Sequence, residues 1–340
     1  MDIFSWLFPA ASRPEDPEVE AAIGCLLQII DPRLKALSGI SKRLAPAVRA
    51  ALDFCDCAIE AMPGPLDASM KHWREAPELR ALFTRNDELQ QIFSHQEIVQ
   101  DYISSHPGAS RFYALLGAVF EEKKNFGVVL ENGVPRHDVA MTSLNFKGHR
   151  LFLPRMRQNI FEYDLRWALF RQLALEILGR LSAMKEEQNH QREEIAFLRA
   201  QLAYCGQQGL SRLLPDEGVS AEGATSAAST QEDLSRQLLA CQAELQTANP
   251  PLQSLENTLE WIAQTLASPE ALLRMQKLDY RIDTANRVVK ADQEGRDLHL
   301  CRFSVTAPTP RAGVLLRIVY PADELLSRRH IAAEMERLYL

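Results

Sequence analysis

The residues most able to do chemistry in this chain lie between positions 95 and 149. They are His95, His106, the adjacent pair His137-Asp138, and His149. Imidazole and carboxylate are the ligand types of a hydrolytic metal centre, where an ion polarises an oxygen or activates a water. Spacing argues against one shared ion. Pro135, Val139 and Met141 give the segment around the pair the pattern of a strand. Successive side chains on a strand point to opposite faces, so His137 and Asp138 do not converge. A metal-dependent site around His137 and His149 is therefore carried only as an alternative.

The thiols give a similar answer. Cys25, Cys55, Cys57, Cys205, Cys241 and Cys301 are irregularly spaced and form no Cys-x-x-Cys. That spacing indicates neither a zinc ribbon nor a disulfide framework. Cys55-Asp56-Cys57 sits in a helical pattern, where residues two apart point in different directions. Cys55 lies in a helix body with no His nearby and no cationic or helix-start setting to mark it as an activated thiolate. The sequence also lacks a phosphate-binding glycine loop, a dinucleotide fingerprint, a nucleophile elbow and a His-Glu-x-x-His helix. No cofactor is expected.

The elements that would position any site are dominated by one long beat. Ile160, Trp167, Ala174, Leu181, Gln188, Ile195 and Leu202 occupy one heptad position, and Tyr163, Phe170, Ile177, Met184, Gln191, Leu198 and Cys205 its partner. This 3-4 spacing is that of a helix pressing a narrow seam on another helix. A weaker copy returns at Leu234, Leu238, Cys241, Leu245 and Ala248. The first half carries a second apolar row, Phe161, Leu165, Leu169 and Leu173, so that half belongs inside a globular body. Farther along only the single seam survives. Gln188 and Gln191 interrupt it, a device that can fix register. Between Pro215 and Gln231 the composition falls to Gly, Ser, Ala, Thr and acids, which predicts a flexible loop over 215–230 with Thr230 as a following helix cap. An antiparallel hairpin follows, with Cys205 and Cys241 at similar heights.

The remaining stretches are read as smaller units. Residues 15–123 carry helical patterns, including Phe112–Lys123. From 125 to 153 the period changes to two, and Asn132-Gly133 is a strong hairpin turn signal. This predicts a small antiparallel meander. Residues 269–278 read as a short helix. Segments near 287–290, 298–305 and 314–320 read as strands, with a last helix from Asp323. The predicted fold is mainly α with two small antiparallel β elements and a long antiparallel helical hairpin in the middle. Its units are an N-terminal helical domain at 1–154 ending in the meander, the hairpin at 155–267, and a small α+β domain at 268–340.

Composition bounds the function. A chain of 340 residues with 46% apolar and 24% charged residues is globular in type. A net charge of −7 argues against a nucleic-acid backbone as partner. No apolar run approaches the roughly 20 residues of a membrane-spanning helix. The start, Met1 to Pro9, is apolar and carries no Lys or Arg. Folding back on the protein is the expected reading, with docking on a partner or contact to a membrane surface as lesser ones. Without a secretory pattern, cytoplasmic residence is expected. The reading that follows is a non-catalytic interaction or scaffold protein. It would pair through its arm with another protein or a second copy, using Met184, Gln188, Gln191, Ile195, Leu198, Leu202, Leu234, Leu238 and Leu245. The alternative is an enzyme or nucleotide-linked subunit whose site is assembled from distant residues.

Overall fold

The computed structural model of the chain describes residues 16–131, 134–211, 222–247, 250–306 and 310–331. Helix α1 spans Pro17–Ile30. Asp16 caps it by accepting a hydrogen bond from the Glu18 N–H at 3.2 Å, and Pro17 fills the first turn where no N–H is needed. α2, Ile40–Ala61, buries Leu44, Val48, Leu52, Cys55 and Ile59, the face that the spacing predicts. It ends before Pro63-Gly64-Pro65. After the short strand β1 (Leu66–Asp67) come three short helices, α3 (Pro77–Leu82), α4 (Asn86–Ser94) and α5 (Glu97–Ser105).

Two long strands follow, β2 (Arg111–Glu131) and β3 (Val134–Arg155). α6 (Gln158–Ser211) and α7 (Glu222–Thr247) form the arm, and α8 (Leu255–Leu266) returns to the body. The described chain continues through β4 (Leu273–Ile282), β5 (Arg296–Val305) and β6 (Arg311–Pro321).

The fold class departs from expectation. Helix makes up 57% and strand 25% of the described residues, and the strands form one curled sheet rather than two small elements. Its order is β3-β2-β6-β5-β4, antiparallel throughout, with β1 added parallel to β6. β2 pairs with β6 from Arg111 opposite Pro321 to Ala118 opposite Val314, so strands from the two ends of the sequence share one sheet.

Four local readings change. Phe112–Lys123 is strand, not helix: Phe112, Ala114, Leu116 and Ala118 are buried on one face, while Tyr113 and Leu115 meet a second core on the other. A strand apolar on both faces has no alternation to betray it. Residues 273–278 are likewise strand. The span 222–230, expected as loop, is the start of α7, and Thr230 lies inside that helix. Its alanines have high helix propensity. The last helix does not start at Asp323 as expected: Ala322–Glu324 is a single 3-10 turn, Leu325 is extended, and helical residues begin only at Arg328. The turn residues Asn132 and Gly133, the loop residues 212–221 and residues 332–340 lie outside the described residues. The strands flanking the turn pair to its edge, Glu131 opposite Val134.

The sheet is covered on both faces. α1, α2, α8 and the first half of α6 build one core; α3, α4 and α5 build the other. The β2–β3 ladder shifts register three times, between Tyr113 and Leu115, Gly117 and Val119, and Gly127 and Val129. Opposite each shift β3 carries one extra residue, and a positive φ falls there: Leu153 at 55°, Gly148 at 61° and Asp138 at 60°. Such bulges bend a strand and increase its twist, which curls this hairpin. Gly148 adopts that backbone freely, whereas Leu153 is held in it by the packing around it.

Arg317 of β6 ties the layers together. Its Nε and Nη2 donate to the Pro63 and Met62 carbonyls, each at 3.0 Å, and Nη1 lies 3.1 Å from Glu162 of α6. It thus serves carbonyls left open at the end of α2.

Candidate interaction surface

α6 contains 54 residues, about 80 Å at 1.5 Å per residue. Its first part is wrapped: Phe161, Leu165, Phe170, Leu173 and Ile177 are fully buried. Beyond Leu181 its neighbours among the described residues are the end of α1 with the turn after it, the turn before α8, and then α7, which pairs with it. The expected residues fall along this seam as follows. Met184 lines a cleft with Pro250, Pro251 and Trp261. Gln188 lines another with Leu181, Lys185, Leu252 and Leu255. Gln191 is half-buried, and its Oε1 has no hydrogen-bond partner. Ile195 and Leu198 are buried, and Leu202 is half-buried. Leu234, Leu238 and Leu245 are half-buried on α7. Arg192, Ile195 and Arg199 face Gln242 and Leu245. The burial of Ile195 and Leu198 stabilises the arm by roughly 1.5–3 kcal/mol each. Cys205 lies among residues whose side chains are not described.

The opposite side of α6 carries a pattern that sequence reasoning missed. Glu186, His190, Glu193, Phe197, Ala200 and Tyr204 follow a 4-3-4-3-4 spacing, which places them on one stripe. Relative to Ile195, Phe197 lies about 200° around the helix at 100° per residue, on the side away from α7. Phe197 is 62% and Tyr204 63% exposed. The signal was available: two aromatic residues seven apart, out of phase with the main seam. It was masked because the main seam supplies more apolar residues.

The residues of the chemical alternative are dispersed. The side chain of His137 lies outside the described residues. Asp138 is exposed at a bulge. His149 packs on Phe83 with the rings tilted and their centroids 4.6 Å apart, and burial pulls its pKa down. His95 and His106 each place Nδ1 against a carbonyl of their own helix end, at 2.7 Å from Gln91 and 2.8 Å from Tyr102. Among the described residues no group of three or more His, Cys, Asp or Glu is arranged to hold a metal ion.

Two other constellations have suggestive compositions. Asp67, Ser69 and His72 contain the residue types of a nucleophile relay. However, Ser69 Oγ at 2.8 Å and Asp67 Oδ2 at 3.0 Å both contact His72 Nδ1. A relay needs them on opposite ring nitrogens, so this is a local turn brace. Asp279 pairs with His299 at 2.6 Å on adjacent strands, and this contact raises the His299 pKa. Cys301 follows on the same face of β5. It is completely buried, which pushes its thiol up to about 11, the opposite of the lowered value that marks an activated thiolate.

Compared with known proteins, the chain matches no family model, no curated protein and no solved structure at a significant level. No helix of the described residues is long and apolar enough to cross a membrane.

Proposed function

We propose that this is a non-catalytic interaction protein whose arm presents the outward stripe of α6 to a helix of another protein. The observation that carries this reading is the exposure of Phe197 on a heptad stripe facing away from α7. A helix seam of this spacing is read by another helix whose apolar residues meet it in register. The stripe also sets the partner's chemistry. Phe197, Ala200 and Tyr204 form its apolar end, and Glu186 and Glu193 its acidic end. The matching helix carries apolar residues at one end and Lys or Arg at the other. The main seam serves the arm itself, with α7 as its cover. Buried or unbridged thiols at Cys25, Cys55, Cys57, Cys241 and Cys301 fit residence in the reducing cytoplasm.

The test is a paired affinity capture from the source cells with the wild-type chain and the double variant Phe197→Asp/Tyr204→Asp. Partners lost with the variant are purified and titrated calorimetrically against both chains. The reading holds if binding weakens at least about tenfold, the equivalent of 1.4 kcal/mol. It fails if the variant binds every partner as the wild type does.

A further inference from the structure

The main seam of α6 has a cover along most of its length, and the end of that cover is informative. α1 runs parallel to α6. Glu18 near its start forms an ion pair with Arg166, and Ile30 and Asp31 at its end share a cleft with Leu178, Leu181 and Lys185. Between these points Phe170, Ala174 and Ile177 are fully buried. α1 begins at Pro17, level with Arg166. The seam continues toward the start of α6 through Trp167, Tyr163 and Ile160. There the cover stops: Tyr163 is 55% and Ile160 42% exposed.

We propose that this bare end of the seam is a docking site for the chain's own apolar stretch, Ile3, Phe4, Trp6, Leu7 and Phe8. Residues 1–15 lie outside the described residues, and three observations select them as the occupant. The first is direction. α1 read backwards points along α6 toward Tyr163 and Ile160, so the described chain begins, at Asp16, on the side of the patch. The second is reach. Ile160 lies six residues from Arg166, about 9 Å of helix. The eight residues from Phe8 to Asp16 span up to about 26 Å. The third is chemistry. The patch is an aromatic ladder, with Tyr163 against Trp167 at 6.3 Å and Trp167 against Phe170 at 6.0 Å, both edge-on. Such rings favour further aromatic side chains at their faces and edges. From Met1 to Ser12 the only charged side chain is Asp2, so the stretch brings little charge that burial would strand. Docking there would extend the cover of α1 by two turns and remove an apolar patch from water.

This inference is independent of the outward stripe, which lies on the other side of α6. It is tested in the purified full chain by placing the photoreactive residue p-benzoylphenylalanine at position 163 and mapping the crosslinks by mass spectrometry. Position 163 is exposed, so the replacement leaves folding intact. The expected product has the mass of one chain and joins position 163 to a peptide from residues 1–15. Adding Trp6→Asp and Phe8→Asp should lower its yield at least about tenfold, because two aromatic burials are lost. The same probe at position 197 should give no crosslink to residues 1–15. A product with the mass of two chains would assign the patch to a second copy and overturn the proposal. So would crosslinks that miss residues 1–15, or a yield unchanged by the two substitutions.

Discussion

Replacing Arg317 by Ala should be among the most damaging single changes outside the apolar core. The side chain is 11% exposed and makes three contacts that bridge β6, the end of α2 and the start of α6. Hydrogen bonds from a charged donor contribute about 1.5–3 kcal/mol each, and two carbonyls, of Met62 and Pro63, would lose theirs. The Glu162 contact adds less than about 1 kcal/mol, because that carboxylate is one-third exposed and screened by solvent. Against this stands the burial of a guanidinium, which lowers the Arg317 pKa and offsets part of the gain. The net expectation for Arg317→Ala is a loss of about 3 kcal/mol. Arg317→Met keeps the stem but still orphans the carbonyls, so it should lose about 2 kcal/mol. Glu162→Gln still accepts a hydrogen bond and should stay within about 1 kcal/mol of wild type. Urea unfolding followed by tryptophan fluorescence and far-ultraviolet circular dichroism reads these differences, provided the two traces coincide. A loss below about 1 kcal/mol for Arg317→Ala would show that the buried fork is not what joins the layers.

Opposite sides of the arm should respond differently. Ile195→Ala should destabilise the α6–α7 pairing by about 2 kcal/mol. Phe197→Ala should change stability by no more than about 0.5 kcal/mol. Equal losses in urea titrations would contradict the assignment of faces. His149 sets an acid limit. Its folded pKa lies below the unfolded value of about 6.5, so its contribution is intact above that pH and is lost as pH falls through the folded pKa. His149→Leu should therefore show a smaller fall in urea midpoint between about pH 7.5 and pH 5.5 than the wild type. An unchanged fall would place the acid sensitivity elsewhere. Gly313 sits where β6 passes β2, and an added Cβ would meet the Ala118 carbonyl oxygen at 2.6 Å. Gly313→Ala should cost about 1–3 kcal/mol by overpacking, read as a lowered melting temperature. An unshifted melting temperature would mean that the strands separate freely there.

The legibility of the sequence followed the period of its pattern. The seam of α6 and the buried face of α2 repeat a helical spacing over many turns, so their residues, including Ile195 and Leu198, could be placed from the chain alone. β6 was legible as a strand from Val314, Leu316, Ile318 and Tyr320 at a spacing of two, although its other face, with Leu315, and that of β5, with Cys301, are covered as well. Phe112–Lys123 carries apolar residues on both faces because helices cover the sheet on both sides, and such a strand has no period to read. The same burial decided the candidate chemistry. The types His149 and Cys301 are visible in any sequence, but only packing puts one against Phe83 and the other into a core that holds its thiol protonated. For the outward stripe the residues were present at heptad spacing from the start. The chain itself determines that α6 carries one long apolar seam and, out of phase with it, the aromatic pair Phe197 and Tyr204. Only the tertiary structure decided that α7 covers Ile195 and Leu198 and leaves Phe197 exposed, because burial depends on neighbours that local spacing does not specify.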